Sequence, residues 1–476
     1  MQDIVIIGAG ITGCFLAHDL SKYQLKITVF DKENDVANAT TMANSAIIHA
    51  GHDPKEGTLK AVLNQRGARM YPQICRDLQV EYQVCGAYIV AHDEDEIQVL
   101  KDLKKRADER EIDARFVSSK ELLAQEPNVA DEIIQALEIP QTAVVNPWQC
   151  ATALMEEAVL NGVHLKLGSE VIGIDAFDDY FIVHTDQGEI MTKVIINAAG
   201  CGCEKIAAMI EEPPFHITYK KGEYFVLSKL AKDFVHHVIY PVPSKLGKGV
   251  LAVPTTHGNI LLGPNNTVCE SEDVSTTQNG MDTVRERLAY IVKNVPYGEI
   301  IRSYSGIRPS GNQGDFYIQP SQTYDRLLHV ACIDSPGLAS APAISEYVIQ
   351  KMVQPLLPLQ PKMSYVRRKA PIVMEHLSVE EKNRFIRQNP AYGQIICKCE
   401  NISYQEIVDA IHGPCGAKTI KAVKKRVRAG MGKCQGGICE SAVAKILAKE
   451  LQIPLADVLY DAPGSELGTE AKRCKR

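Results

Sequence analysis

The chain has 476 residues, 45% apolar and 23% charged, which is the balance of a globular protein long enough for two or three domains. Its 52 basic and 58 acidic residues are spread along the chain and leave a formal net charge of −6, which excludes the general attraction on which nucleic-acid binding depends. No apolar run approaches the roughly 18 residues a membrane span needs, and Gly8 and Gly10 break the N-terminal run before it could act as a secretion signal. A cytoplasmic protein is expected, with peripheral membrane contact left open.

Residues 3 to 7 (DIVII) read as a buried strand, followed by GAGITG and then the helical stretch ITGCFLAHDLSKY. Gly8, Gly10 and Gly13 fit G-x-G-x-x-G: the first makes the turn, the second admits a pyrophosphate to the backbone, and the third lets helix and strand pack. A second strand, KITVF, ends at Asp31, placed to accept hydrogen bonds from a ribose hydroxyl. A nicotinamide domain would continue with a regular βαβ unit. Here ENDVANATTMANSAIIHAGHDP follows, a polar, small-residue stretch suited to run along an extended cofactor, and no second G-x-G-x-x-G occurs. These features point to one dinucleotide, FAD.

Further along come ANSAIIHAG, IINAAG (195 to 200), YSGIRPSG (304 to 311) and DSPGLASAPAI (334 to 344). In order and spacing they resemble the FAD-dependent glycerol-3-phosphate dehydrogenases and oxidases, within the wider amino-acid and 2-hydroxyacid flavin oxidoreductases. The resemblance covers 1 to 355. It implies a discontinuous α/β, Rossmann-like FAD-binding domain interleaved with an α+β substrate domain built on an antiparallel sheet. It also implies FAD contacts at Asn44, Ser45, Gly200, Gly337 and Leu338.

Oxidising a secondary alcohol by flavin moves a hydride from carbon to the flavin while a base takes the hydroxyl proton. A base titrating near neutrality suggests histidine, and His49 and His52 are the candidates. The resemblance selects His49. Arg308 could fork onto a phosphate or carboxylate, and the resemblance gives it the anionic end of the substrate. Lys248 matches a position for a second cation. Glycerol 3-phosphate and 2-hydroxyglutarate are both small anions such a site would accept; GNILLGPN (258 to 265) and SGIRPS favour the first.

Residues 356 to 393 read as a linker with a connecting helix, 394 to 460 as a small helical module and 461 to 476 as a tail. The module carries C-x-C at Cys397 and Cys399 and C-x4-C at Cys434 and Cys439, around helices expected near 404 to 411 and 418 to 427. Four thiolates bind zinc or an iron–sulfur cluster, and zinc favours C-x2-C knuckles on both sides. CKCENIS with GMGKCQGGIC resembles the bacterioferritin-associated ferredoxin-like domain, which implies a [2Fe-2S] cluster on those four cysteines; Cys415 and Cys474 are not among them. Between the pairs lie Lys418, Lys421, Lys424, Lys425, Arg426, Arg428 and Lys433 with no acid among them. They read as a solvated helix face or as a docking patch for an acidic redox partner.

One flavin, no second nucleotide motif and a one-electron centre together suggest a dehydrogenase that passes electrons through the cluster to a partner subunit. The rival is a non-catalytic electron-transfer subunit, which would need neither His49 nor Arg308.

Overall fold

The computed structural model describes residues 1–243, 249–270 and 272–468. Strand Gln2–Ile7 is the centre of an eight-stranded sheet, and its last four residues are buried, as a parallel strand covered on both faces requires. It pairs in parallel with Ile27–Asp31 on one side and Gly188–Asn197 on the other. Strand His164–Leu167 extends the sheet beyond Ile27–Asp31, and Leu327–Ala331 pairs in parallel with Gly188–Asn197. The dinucleotide domain is therefore assembled from separate stretches of chain, as the resemblance implied. Helices Ile11–Leu20, Leu59–Leu78, Pro147–Leu160 and Gly337–Val348 share one core with a face of this sheet, including Ile4, Ile6, Phe15, Leu16 and Tyr71.

The second large sheet has nine strands and is antiparallel except where Val238–Pro241 meets Ala87–Ala91. Its spine is the long pair Ile217–Leu227 and Ile300–Gly311, which runs continuously from Ile217 opposite Gly311 to Val226 opposite Arg302. Helix Gln278–Leu288 packs into the core that contains Phe225 and Leu262, and helix Glu94–Glu109 into the one that contains Ile89 and Val253.

The stretch expected as a linker is held down along much of its length. Lys362 N–H donates to Lys22 O at 2.9 Å, Asn161 exchanges two hydrogen bonds with the Val366 backbone, and Arg368 reaches Glu156 and Leu78 O. The connecting helix is Val379–Gln388, capped by Ser378 and Glu381 in a reciprocal pair. Beyond it a hairpin, Ile395–Cys397 with Ile402–Ser403, and helices Tyr404–His412, Ile420–Val427 and Glu440–Leu451 enclose a separate core of Ile407, Ile411, Val423, Val443 and Leu447. The two predicted helices are present, the second beginning at Ile420 because Thr419 caps it. Residues 461 to 468 belong to this module and not to a tail. Asp461 accepts from Lys421 and Asn38, and Leu467 N–H donates to Val458 O. Cys474 lies outside the described residues.

Candidate active site and cluster site

A cavity of about 1080 Å³ opens at the carboxyl ends of the parallel strands and runs between the two large sheets, where α/β sheets place their ligands. Gly8, at φ +112°, makes the turn out of the first strand, and a Cβ there would stand 2.4 Å from Ala198 O. A Cβ on Gly13 would stand 1.9 Å from Gly8 O, so the third glycine is fixed by helix–strand packing, as its spacing predicted. Gly8 and Gly10 line the cavity at the start of helix Ile11–Leu20, where Gly10 offers no capping side chain and the Ile11 N–H donates to Thr41 Oγ1 at 2.9 Å. That is a cradle for a diphosphate.

Asp31 also lines the cavity, but its carboxylate accepts from Ala9 N–H at 2.6 Å and Glu33 N–H at 2.8 Å. Burial pushes this carboxyl up to about 6 despite those two donors. The expected ribose acceptor thus also braces the glycine turn. Asn44 and Ser45 line the cavity too. The Asn44 amide donates to Thr40 O and Thr41 O and accepts from Ala46 N–H at 2.7 Å, so the side chain shapes its own loop. Ser45 Oγ lies 3.0 Å from the Tyr224 hydroxyl, and Tyr304 donates to Asn44 O at 2.9 Å. Tyr224 and Tyr304 stack at 4.6 Å on the paired strands of the second sheet, so the substrate domain grips the loop facing the cofactor cradle. Gly200, Gly337 and Leu338 line the same cavity, the latter two at the uncapped start of helix Gly337–Val348.

His49 lines the cavity, whereas His52 is buried away from its lining. The Nδ1 atom of His49 lies 3.1 Å from the hydroxyl of Tyr240, a buried phenol whose pKa burial raises well above its ordinary value. Tyr240 therefore stays a neutral hydroxyl. Arg308 reaches the cavity from strand Ile300–Gly311 and is anchored by donating to Asn265 O at 3.0 Å. Lys248 lies outside the described residues. Tyr240 and Tyr224 had no motif to announce them, and Tyr304 opens the segment YSGIRPSG without its ring contact being legible there.

In the small module the thiols come together in two pairs, each taking one cysteine from C-x-C and one from C-x4-C. Cys399 Sγ is 3.7 Å from Cys434 Sγ, close to the roughly 3.8 Å that tetrahedral bonding at ~2.3 Å imposes on two sulfurs of one metal. Cys439 and Cys397 form the other contact, and burial followed by the neighbouring Cys397 sulfur push the Cys439 thiol up to about 12. The backbone N–H of Ile438 holds Cys434 below its ordinary value. Among the described residues no three or more His, Cys, Asp or Glu side chains are gathered closely enough to hold one metal ion. Two thiolate pairs suit two irons better than one zinc. A Cβ on Gly432 would stand against Cys399 Cβ, so position 432 has no room for a side chain. Cys415, as expected, is elsewhere, buried in the core of the dinucleotide domain.

Much of the basic stretch is drawn into the protein against the two large domains, while Lys418 and Lys433 stay exposed. Asp35, 3% exposed, receives a fork from Arg426 at 2.8 and 3.0 Å and an ion pair from Lys425 at 2.7 Å. Lys425 also donates to Val36 O and Asn38. Toward the substrate domain, Arg428 holds Glu400 at 2.9 Å and Asn259 at 3.1 Å, Lys229 holds Glu400 at 2.9 Å, and Lys433 meets Glu299 at 3.3 Å. The module bridges both large domains, and Lys424, Arg428, Gln435 and Tyr460 enter the cavity lining.

A diphosphate cradle, a histidine and an anchored arginine in one interdomain cavity, beside four paired thiols, define a flavin oxidoreductase with a built-in electron-transfer domain. Residues 3–351 match the FAD dependent oxidoreductase family, and the chain belongs to it; residues 395–449 match the BFD-like [2Fe-2S] binding domain. A glycerol 3-phosphate dehydrogenase from Caloramator mitchellensis is 41% identical over 473 residues, 98% of each chain. An L-2-hydroxyglutarate dehydrogenase from Escherichia coli is 29% identical, over 56% of this chain and 64% of its own. The solved structure of a dithionite-reduced L-alpha-glycerophosphate oxidase from Mycoplasma pneumoniae with FAD bound superposes with a TM-score of 0.74 at 27% identity, over 77% of this chain and 98% of that one.

Proposed function

We propose that the chain is a dehydrogenase that oxidises glycerol 3-phosphate to dihydroxyacetone phosphate. When bound, FAD supplies a hydride acceptor at N5 and the [2Fe-2S] cluster a one-electron relay. The protein holds and orients the substrate and moves its proton. Arg308 forks onto the phosphate from the cavity lining, with Asn265 O fixing one end of the guanidinium. Lys248 is the candidate second cation. His49 takes the C2 hydroxyl proton at Nε2. For that, Nδ1–H donates to the Tyr240 oxygen, which leaves the lone pair on the other nitrogen.

The observation that carries this reading is the convergence of His49, Arg308 and the glycine turn on one cavity. A relay without its own substrate needs no base and no anion clamp. The relative that matches end to end favours glycerol 3-phosphate over 2-hydroxyglutarate, whose relative matches only part of either chain. The paired thiols next to the cavity support electron exit through the cluster to a separate redox partner.

Anaerobic mixing with glycerol 3-phosphate, L-2-hydroxyglutarate, lactate and proline tests the reading by flavin bleaching. Glycerol 3-phosphate should bleach the flavin fastest and at the lowest concentration. Bleaching by L-2-hydroxyglutarate alone would move the assignment to the other branch, and no bleaching by any of the four would leave the relay.

A further inference from the structure

Helix Ile420–Val427 and its C-cap Arg428 carry five basic side chains, and four of them meet carboxylates. Lys421 pairs with Asp461, Lys425 and Arg426 with Asp35, and Arg428 with Glu400. Lys424 is different. It is 4% exposed, its Nζ donates to the Tyr460 hydroxyl at 3.1 Å and sits 5.4 Å from that ring's centre, and among the described residues it forms no ion pair. A neutral phenol hydroxyl supplies no counter-charge, so among the described residues the Lys424 ammonium is not paired with an anion.

The side chain is also held in place. Its Cε packs 3.3 Å from where a Cβ on Gly430 would stand, beneath the loop that carries Cys434. Its residue lines the cavity that contains Gly8, Gly10 and Arg308. Both ligand classes assigned to that cavity carry phosphate: FAD by family membership, and glycerol 3-phosphate by the function proposed above. We propose that Lys424 is an anion-binding residue of the cavity, donating to a phosphate oxygen, so that the cluster domain supplies part of the site it covers. The phosphate is either the FAD diphosphate or that of the substrate, and the second alternative rests on the proposed function.

The test uses full-length protein with Lys424→Met, Lys424→Gln and Lys424→Arg. Two affinities are read: that of the FAD-depleted protein for FAD, by quenching of flavin fluorescence, and that of the FAD-loaded, oxidised protein for dihydroxyacetone phosphate, by perturbation of the flavin spectrum. Losing one charge-assisted hydrogen bond should weaken the affected ligand about tenfold or more in the Met variant, with Arg restoring most of it. Weakened FAD names the diphosphate; weakened dihydroxyacetone phosphate with FAD unchanged names the substrate phosphate. If the Met variant does not accumulate, the Gln variant removes the charge while still able to hydrogen-bond Tyr460, and should show the same loss. Both affinities within twofold of the parent would overturn the proposal. So would a loss that Arg fails to restore and that comes with loss of iron, since that marks a structural role. A parent that binds no dihydroxyacetone phosphate counts against the proposed substrate, while the FAD affinities still judge Lys424.

Discussion

In the proposed reaction, Tyr240 sets which nitrogen of His49 is available as the base. Because burial keeps the phenol protonated, its oxygen can accept from Nδ1–H without adding a negative charge that would hold the imidazole protonated. Tyr240→Phe removes that acceptor, so the ring distributes between tautomers and loses part of its basicity at Nε2. Flavin bleaching by glycerol 3-phosphate should slow about tenfold with the half-saturating concentration little changed, and His49→Gln should slow it ~10²- to 10⁴-fold. Rapid-mixing absorbance at saturating substrate measures both, and a parent-like Tyr240→Phe would show that the tyrosine does not set the tautomer. His49 and Arg308 were legible as residues of the cavity because motif segments surround them. Tyr240 was not legible, since it stands 191 residues from His49, on strand Val238–Pro241 of the second sheet. Asn44 was legible as a position, whereas its bonds to Thr40, Thr41 and Ala46 were not, because they depend on a loop conformation that the residue types alone do not specify.

Helix Ile420–Val427 was the element most at odds with its sequence. Its charges looked solvated because no acid lies nearby in the chain, yet Asp35 meets Arg426 from 391 residues away. Burial raises the Asp35 carboxyl, but Arg426 and then Lys425 more than offset it and hold the group at about 2. Lys425 is itself drawn down to about 8 by burial, against the pull of Asp35, so the fork from Arg426 is the stronger half of the lock. The sign follows from linkage. A carboxyl held at about 2 when folded and titrating near 3.9 when unfolded contributes its stability above pH ~4, and loses it as the pH falls toward 2. Asp35→Asn should make the cost permanent at neutral pH. It leaves two buried cations with one neutral partner, a loss of about 3 to 5 kcal/mol seen as a lowered unfolding midpoint, and it should flatten the acid limb of stability against pH. A variant with the parent's midpoint and acid limb would mean the lock contributes nothing.

At the scale of the whole molecule, the sequence marked two cofactor modules but not their mutual placement. The strand periodicity, the glycine turn and the cysteine pairs are local signals, whereas the contacts of the small module with Asp35, Asn259 and Glu299 are made by single side chains with no motif. That placement gives the division of labour a physical basis. A hydride delivers electrons as a pair, a [2Fe-2S] cluster accepts one, and residues of the loop that carries Cys434 line the cavity assigned to FAD. Reductive titration under anaerobic conditions should therefore take up about three electrons per chain, two on flavin and one on the cluster. Cys399→Ser breaks the thiol pair with Cys434 and should lower the count to about two and abolish the paramagnetic signal of the reduced cluster. Flavin bleaching by substrate should continue within a few-fold of the parent rate, because His49, Tyr240 and Arg308 all lie outside the module. Slow transfer to one-electron acceptors alongside intact bleaching would place the cluster after the chemistry. If bleaching collapsed while FAD stayed bound, the cluster would instead be required for hydride removal itself, and the separation between chemistry in the cavity and exit through the thiol pairs would fail.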